Sequence, residues 1–533
     1  MDGLVTTARW VAVASFAALA AKGRLLVRPE GRQIVLFLAE GQIHACNNRC
    51  PHEGYPLSEG TLSRSADGHC LLTCNWHNWK FDLASGDTLI GGDRLRRFPA
   101  RREGDAVLLD LSEPPPAERQ QAALAEFGSA MEREEYDRLA RLLLRLRAAG
   151  GSDAQALVHA LEATHDRLEF GFLHAHAVAP DWLALGRHAR AEGEALVPAL
   201  EILAYLAEVT AHRAAYPYAE ESAPWNAEAF LAAVEAQDEA GAIARVRGAL
   251  AEGLALDRLW PVLARAALLH YADFGHSLIY VQKASELAAR LGARAAPFLL
   301  LPLVRSLVLA WREDLIPEFR SYASAIAAWG KGADAPGDFL SLSVKGALKQ
   351  AVAASAAPPA LHRALLRDLA RQLLLFDSGR QHRPELSLAE SAGWLDVTDG
   401  LTFASAVRWA ASQDPSLLAP GLLQMACFLG RNSGFLDRSV DEAAWRVDDP
   451  ARFFAEAGRA LLDHGESEAI VAAHRVKTLT AIEQEAAAVA DDPALVALLA
   501  AACNRFLASA VRVKQPLRTA RQALRLVADE AAN

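Results

Sequence analysis

Two short stretches decide the fold of the N-terminal part: CPHEGYPLSEG at residues 50–60 and CNWHNWKFDLASG at residues 74–86. Each stretch supplies one cysteine and one histidine: Cys50 and His52, then Cys74 and His77. Two thiolates and two imidazoles at the tips of two loops form a ligand set for a metal of soft or borderline preference. A Cys₂His₂ zinc site is the plain alternative, but zinc fingers usually pair cysteine with cysteine and histidine with histidine locally.

A Rieske [2Fe–2S] centre requires this mixed arrangement, because two histidines replace two cysteines on one of its irons. The flanking residues agree with it: Gly54, Leu57 and Gly60 after the first pair, and Trp79, Phe81 and Gly86 after the second. Over about residues 8–111 the sequence resembles the Rieske ferredoxin domain. The resemblance implies that Cys50 and Cys74 hold the buried iron, and that His52 and His77 hold the outer iron near the surface.

The departures from this family pattern are mild. Asn75 stands where many members have proline. Cys46 and Cys70 each lie four residues before a ligand, and we expect them to be buried core thiols rather than a disulfide. The Asn78-Trp79 pair resembles the ferredoxin and oxygenase-component branch, which implies a lower reduction potential than that of the respiratory type.

The composition of the chain changes near residue 112. Before it, short β-prone runs alternate with turns, as in Arg24–Arg28, Pro29-Glu30-Gly31 and Gln33–Leu38. After it, long stretches rich in Ala, Leu, Arg and Glu repeat with a period of 3.6 residues. We therefore predict a multidomain protein with three parts: an all-β Rieske domain at residues 1–111, a Pro-rich linker at residues 112–120 and a large all-α domain at residues 121–533.

Composition and charge exclude several classes of protein. The chain has 533 residues and a net charge of −10, and no basic domain stands out, which argues against a nucleic-acid partner. The apolar run at residues 296–311 is interrupted by Pro302 and Arg305 and is too short to span a membrane. The N-terminal run at residues 10–20 resembles a signal-peptide core, but Asp2 and a strand-like alternation oppose that interpretation. We expect a cytoplasmic protein.

Two segments of the helical part share a spacing of polar residues. They are His159-x2-Glu162-x2-His165 and His270-x2-Asp273-x2-His276. Positions i, i+3 and i+6 occupy one stripe of a helix, and the surroundings are apolar, so both stripes should face inward. Di-iron carboxylate bundles assemble their sites from such Glu and His pairs on facing helices. We therefore predict that these six residues form one catalytic site, with a second iron as a candidate cofactor. The alternatives are that the buried histidines and acids only hydrogen-bond to one another or cap neighbouring helices, or that the histidine face of the two helices meets solvent.

The helical part also contains signs of an internal duplication. A proline-containing helix follows each stripe, so that residues 150–215 and 260–325 form two candidate repeats. Two weaker echoes of the stripes follow, Asp396-x2-Asp399-x2-Thr402 and the stretch from Glu468 through His474 to Lys477. If four such helices converge, one central polar pocket is lined by all of them.

Two resemblances bear on the chemistry of the helical part. Rieske oxygenases hold a mononuclear iron through an Asp-x2-His-x4-His pattern, and no two histidines here are five positions apart. The sequence therefore argues against a standard aromatic-ring hydroxylase. The stretch VAAHRVKT at residues 471–478 resembles questin-oxidase-like proteins, which are helical and associated with oxidative ring opening, over a few residues per helix.

Two classes of function follow. In the first, the protein is an oxidoreductase whose Rieske cluster passes single electrons to a site in the helical domain, where a small-molecule substrate or oxygen reacts. Covalent fusion raises the effective concentration of the electron donor. In the second, the protein is an electron carrier or redox sensor whose helical domain is a docking or scaffold module. Both require an external reductase, since no G-x-G-x-x-G fingerprint follows a strand.

Overall fold

The structure is a computed structural model that describes residues 8–532. Its main chain divides into two compact units. The first unit extends to Ala130 and includes Glu135–Ser152, and the second comprises Met131–Glu134 and the chain from Asp153 onward. The N-terminal sheets followed by a large helical region confirm the predicted fold class.

The first unit is built around short antiparallel strands. They are β1 (Trp10–Ser15), β2 (Arg24–Val27), β3 (Ile34–Ala39), β4 (Gln42–Asn47), β5 (Thr61–Arg64), β6 (Cys70–Thr73), β7 (Lys80–Asp82), β8 (Thr88–Ile90), β9 (Arg97–Phe98), β10 (Ala100–Glu103) and β11 (Ala106–Asp110). Three sheets result, with the strand orders β1-β11-β10, β2-β3-β4-β9 and β5-β6-β7-β8. The first cysteine loop leads from β4 of the second sheet to β5 of the last sheet, and the second loop joins β6 to β7 within the last sheet.

The hairpin from β3 to β4 shows how local sequence sets the register. Ala39 pairs with Gln42, which leaves Glu40 and Gly41 as a two-residue turn. Both turn residues have positive φ, 54° and 75°, the backbone that matches the right-handed twist of the flanking strands. The register places Phe37 and Cys46 in the core beneath the cysteine loops.

The N-terminal run that resembles a signal-peptide core is part of the folded unit. Its first half is strand β1, which pairs with β11, and its second half is helix α1 (Phe16–Lys22). Ser15 caps this helix by accepting a hydrogen bond from the backbone of Ala18 at 3.1 Å. The strand is present, but the alternation is broken by an irregularity between Ala12 and Ala14, and Ala14 packs against the core together with Val11 and Val13.

Two helices after the proline-rich stretch belong to the first unit rather than to the helical domain. They are α2 (Pro116–Glu132), whose last residues enter the second unit, and α3 (Tyr136–Ala148). Asp93 explains the association, because this fully buried carboxylate accepts from Arg141 at 2.8 Å and also pairs with Arg145. A buried carboxylate needs such partners, and composition alone could not reveal them.

The second unit consists of helices joined by connections of varied length. They are α4 (Asp153–Thr164), α5 (His174–Ala177), α6 (Ala179–Leu185), α7 (Glu192–Thr210), α8 (Ala227–Glu235), α9 (Glu239–Ala251), α10 (Trp260–Leu268), α11 (His276–Leu291), α12 (Ala296–Val308), α13 (Ser321–Ala328), α14 (Val344–Ala353), α15 (Pro358–Leu375), α16 (Trp394–Gln413), α17 (Leu418–Asn432), α18 (Pro450–Ala460), α19 (Ala469–Ala488), α20 (Pro493–Ala508) and α21 (Pro516–Ala532). Helices α5, α11, α16 and α19 contact one another and position the polar residues considered below.

The candidate duplication stays a prediction. Pro198 lies inside α7 and Pro302 inside α12, as the two proline-containing helices require. The histidine-bearing segments before them, however, adopt different structures.

No helix within residues 8–532 combines the length and the apolar character that crossing a bilayer requires.

Candidate metal centre and candidate substrate pocket

The two cysteine loops of the first unit have the same backbone design. In the first loop the amide of Cys50 donates to the carbonyl of Tyr55, and its carbonyl accepts from Gly54, at 2.9 and 2.8 Å. In the second loop Cys74 makes the equivalent bonds with Trp79 and Asn78, at 2.8 and 2.9 Å. Gly54 and Asn78 have positive φ at the matching position, which glycine and asparagine tolerate best. The two loops therefore present their ligands in equivalent orientations.

The four predicted ligands converge. The thiols of Cys50 and Cys74 hydrogen-bond to each other, and both side chains are buried. The rings of His52 and His77 lie 4.7 Å apart and are partly exposed, by 25% and 38%. A buried cysteine pair beneath an exposed histidine pair matches a cluster with an inner and an outer iron.

Two further observations fit a cationic metal at this position. The Nδ1 atom of His52 is buried and has no hydrogen-bond partner, so its lone pair is available to a metal. Burial is the main cause that raises the pKa of the Cys50 thiol to about 11. Thiolates are therefore disfavoured here unless a cation compensates them, and a metal–thiolate bond does so.

Aromatic rings surround the histidine pair. Trp79 stacks on His52 with ring centroids 4.6 Å apart, and Trp76 meets the edge of His77 at 5.6 Å. Tyr55 stacks on Trp76, which is 63% exposed. These rings hold the imidazoles in place while leaving their edges open to solvent.

Residues 9–94 match the family model of the Rieske [2Fe-2S] domain. The N-terminal part of the chain belongs to the Rieske family. The alkene monooxygenase system ferredoxin component of Xanthobacter autotrophicus is 36% identical over 87 residues, spanning 16% of this chain and 67% of that protein. The naphthalene 1,2-dioxygenase system ferredoxin component of Pseudomonas aeruginosa is 28% identical and is covered over 99% of its length.

A third relative, the 4beta-methylsterol monooxygenase of Methylococcus capsulatus, is 33% identical over 100 residues. That match spans only 26% of its length. The likeness to these relatives therefore concerns the Rieske domain, and it supports an electron-transfer role in oxidoreductase chemistry.

The six residues predicted to form a site in the helical unit do not come together. Glu162 is exposed and pairs with Arg294 at 3.5 Å, so the α4 stripe does not face inward there. His159 on the same helix is half-buried, and His165 lies just beyond its end, against Phe298. His270 lies near the surface between Glu235 and Asp314, at 2.6 and 3.0 Å.

The prediction of a helix through residues 270–276 is wrong. Helix α10 ends at Leu268 and α11 begins at His276. Between them Asp273, Phe274 and Gly275 have φ values of 49°, 46° and 85°. Left-handed backbone is costly for Asp and Phe, and it persists only where surrounding contacts hold it.

Those contacts come from residues 311–313. The carboxylate of Asp273 accepts a hydrogen bond from the backbone amide of Trp311 at 2.8 Å. The backbone amide of Asp273 donates to the carbonyl of Trp311 at 2.9 Å. The amide of Phe274 donates to Glu313, whose burial raises its pKa to about 8. Side-chain capture of a backbone amide competes with helix formation, which is why the stripe pattern failed here.

The strained turn delivers His276 to a polar cluster that the sequence predicted only partly. The cluster consists of five side chains: His174, His276, Asp399, His474 and Lys477. The ring of His174 lies 5.1 Å from that of His276 and 5.1 Å from that of His474. Lys477 Nζ lies 2.6 Å from Asp399 Oδ1, with both side chains buried. We call this group the histidine cluster.

Hydrogen bonds fix the ring nitrogens of the histidine cluster. Nδ1 of His276 lies 2.6 Å from the Asp273 carbonyl, which only accepts, so Nδ1 carries the proton. Nε2 of His276 faces Asp399 Oδ2 at 3.5 Å. The Thr398 hydroxyl donates to the Leu395 carbonyl and accepts from Nδ1 of His474 at 3.0 Å. These contacts orient the rings of His276 and His474 within the cluster.

Electrostatics keep two of these histidines neutral. The pKa of His174 and that of His474 are well below 6.5. Burial is the largest cause, and the positive charge of the nearby Lys477 is the second. Nε2 of His174 is buried without a hydrogen-bond partner. Burial likewise raises the pKa of Tyr280, whose ring lies 5.7 Å from that of His276, so that it stays a neutral phenol. Asp399 and Lys477 are the ion pair of the cluster.

A small pocket of about 70 Å³ opens onto His276 and Asp399. Its walls are mainly aromatic, and a guanidinium and an amide join them: Tyr271, Phe274, Phe428, Arg431, Asn432 and Phe435. The guanidinium of Arg431 lies 5.6 Å from the ring of Phe274. Apolar walls with a few polar groups at one end are typical of a small-molecule site.

The sequence contained part of this site. Asp399, His474 and Lys477 belong to the echoes on α16 and α19, and His276 belongs to a predicted stripe. His174 was missed because α5 has only four residues and shows no helical period.

A metal ion needs several ligand atoms close together. Within residues 8–532, one group of three or more such side chains has ligand atoms that all lie within 4.8 Å of one another, and it consists of His52, Glu53 and His77 in the first unit.

The neutral histidines predict a specific acid sensitivity. In the unfolded chain each takes up a proton near pH 6.5, whereas in the folded chain its pKa is depressed, so stability is lost as the pH falls below about 6.5. Each such histidine adds up to about 1.4 kcal/mol per pH unit to that slope. His474→Gln should therefore make the fall in unfolding free energy between pH 6.5 and 4.5 shallower, as measured by urea unfolding.

The matched control is His212→Gln, since His212 is 73% exposed beside Glu132. This variant should follow the wild-type pH dependence. A His474→Gln curve parallel to that of the wild type would show that His474 is protonated in the folded protein.

Proposed function

We propose that this protein is an oxidoreductase in which single electrons from the Rieske domain serve a reaction of a small organic molecule in the His276 pocket. The observation that carries the proposal is the convergence of His276, Asp399 and Lys477 at the inner end of an aromatic-walled pocket. Fusion to the Rieske domain keeps the electron donor at high effective concentration. The proposal concerns function and implies no particular arrangement of the two units.

Each group of the pocket has a role in this proposal. When bound, a [2Fe–2S] cluster supplies electrons one at a time. Nε2 of His276 takes a proton from the substrate, since its Nδ1–H is held by the Asp273 carbonyl. Asp399 stabilises the imidazolium that forms, and Lys477 holds Asp399 in position. The aromatic walls exclude water from the reacting group.

The proposal includes an external reductase as electron source and a small organic substrate as partner. The two ferredoxin relatives are described as components of oxygenase systems, which supports a redox partner. A second iron in the helical unit is a separate hypothesis. The six residues first predicted to hold that iron are dispersed. In the histidine cluster, Asp399 already pairs with Lys477, so its Oδ1 is not free to bind a metal.

The alternative is an electron carrier or redox sensor whose helical unit is a docking module. One observation favours it: the naphthalene ferredoxin component is matched over 99% of its length by the Rieske domain alone. A Rieske domain therefore needs no attached catalytic unit to act as a carrier. The two proposals differ in whether His276 matters for oxidation of the cluster.

The test uses the full chain with its cluster reduced chemically under argon. Aerated buffer is added with one small ring compound at a time, and reoxidation is followed by visible absorption. We expect a subset of compounds to accelerate reoxidation, and His276→Gln to remove that acceleration by about 100-fold or more.

The matched control is His270→Gln, because His270 belongs to the same sequence pattern but lies near the surface between Glu235 and Asp314. It should behave as the wild type. Acceleration that survives His276→Gln would overturn the proposed role of the pocket. Reoxidation that no compound changes, but that an added redox protein accelerates, would favour the carrier.

A further inference from the structure

We infer that a groove in the first unit binds a small organic anion carrying phosphate or carboxylate groups, and that this anion tunes the Rieske cluster. The groove runs from the first cysteine loop to helices α2 and α3 and has a volume of about 520 Å³. Cys50 and Pro51 form part of its wall. The inference rests on the Rieske domain and does not depend on the His276 pocket.

The groove is strongly basic. Five arginines line it, against two glutamates: Arg49, Arg94, Arg96, Arg119 and Arg145, with Glu113 and Glu126. Both glutamates are already engaged, Glu113 by Arg32 and Arg96 and Glu126 by Arg138. Glu113 therefore neutralises one of the five lining arginines, Arg96, whereas Glu126 is paired with an arginine outside the lining.

Two of the arginines lack a carboxylate. Arg94 pairs with Asp87 at 2.6 Å, and Arg145 pairs with the buried Asp93. Within the described residues, the guanidinium of Arg49 makes one hydrogen bond, which it donates to the carbonyl of Gly54 at 3.2 Å. Nε of Arg119 is buried there and has no hydrogen-bond partner.

An anion satisfies this arrangement better than water does. A buried guanidinium N–H without an acceptor is costly, and a charged oxygen repays that cost with a short, strong bond. The planar guanidinium matches phosphate and carboxylate oxygens in pairs. The groove is concave and lies between a loop and a helix, so it suits a compact molecule rather than the flat face of a protein.

The position of the groove predicts an effect on the cluster. An anion beside Cys50 disfavours the extra negative charge of the reduced state, so it should lower the reduction potential. By linkage, the oxidised protein must then bind the anion more tightly than the reduced protein does. A tenfold preference corresponds to about 59 mV for a one-electron couple.

The experiment uses the oxidised, cluster-loaded full chain at constant ionic strength. Pyrophosphate and citrate are titrated separately by calorimetry, which distinguishes phosphate from carboxylate ligands, and the midpoint potential is measured with and without each. We expect at least one of them to bind and to lower the potential. Arg119→Gln and Arg49→Gln should each weaken binding about tenfold or more.

The matched control is Arg64→Gln, because Arg64 is 65% exposed on strand β5, pairs with Glu40 and lies outside the groove. It should bind as the wild type does. Binding that is equal in all three variants would overturn the site, as would the absence of binding by both probes. Binding without a change of potential would overturn the coupling to the cluster. An Arg119→Gln protein that loses its cluster spectrum is replaced by Arg49→Gln for this comparison.

Discussion

Cys74→Ser is expected to yield a protein without the [2Fe–2S] cluster. Cys74 is 1% exposed and hydrogen-bonds to Cys50, so the resemblance to Rieske domains places it on the inner iron. Serine is nearly isosteric, but its hydroxyl is a hard and weakly acidic ligand where iron–sulfur chemistry needs a thiolate. Visible absorption, EPR and iron content should all fall to background.

The loss should also destabilise the two cysteine loops, because metal binding contributes to the folding free energy of the segments that it joins. Cys70→Ser is the matched control: Cys70 is a free, half-buried thiol in strand β6, four residues earlier in the chain. Its spectrum should equal that of the wild type. An unchanged EPR spectrum in Cys74→Ser would contradict the ligand assignment.

The Rieske domain could be predicted in detail because its information is local. Cys50 and His52 are two residues apart, Cys74 and His77 are three apart, and the loops that hold them repeat one hydrogen-bond pattern. The turn at Glu40-Gly41 likewise sets its own register. Such features need no knowledge of distant contacts.

The membership of helices α2 and α3 in the first unit could not be predicted in that way. Composition marked a boundary at residue 112, where strands give way to helices. Asp93 lies before that boundary, yet it pairs with Arg141 and Arg145, which lie after it. A boundary of secondary structure is therefore not a boundary of packing.

The histidine cluster shows the same limit more strongly. Its members come from residues 174, 276, 399, 474 and 477, and spacing within one helix carries no information about which helices meet. Asp399 and Lys477 were recognised as echoes because they lie on the long helices α16 and α19. The stripe at residues 270–276 failed because Asp273 binds a backbone amide from another segment.

The ion pair of Asp399 and Lys477 gives the second large prediction. Both side chains are buried, with exposures of 8% and 4%, and Nζ lies 2.6 Å from Oδ1. Removing one partner of a buried pair leaves the other charge uncompensated, at a cost of about 3–5 kcal/mol. Asp399→Asn should therefore lower the unfolding free energy of the helical unit by about that amount, as measured by urea unfolding at pH 7.

Asp399→Asn should also remove the substrate-dependent oxidation proposed above, by about 100-fold or more, while leaving the Rieske EPR spectrum intact. The reason is that Oδ2 of Asp399 faces Nε2 of His276 at 3.5 Å and stabilises the proton that this nitrogen receives. A neutral amide at the same position cannot do so. The loss of stability and the loss of turnover thus have different causes.

The double variant Asp399→Asn with Lys477→Met separates those causes. With both charges gone, no uncompensated ammonium is left in the core, so most of the stability should return. Turnover should not return, because His276 still lacks its carboxylate. A double variant as unstable as Asp399→Asn alone would show that the two charges are not coupled. A double variant that recovers both stability and turnover would show that the ion pair is purely structural, and His276 would then act without Asp399.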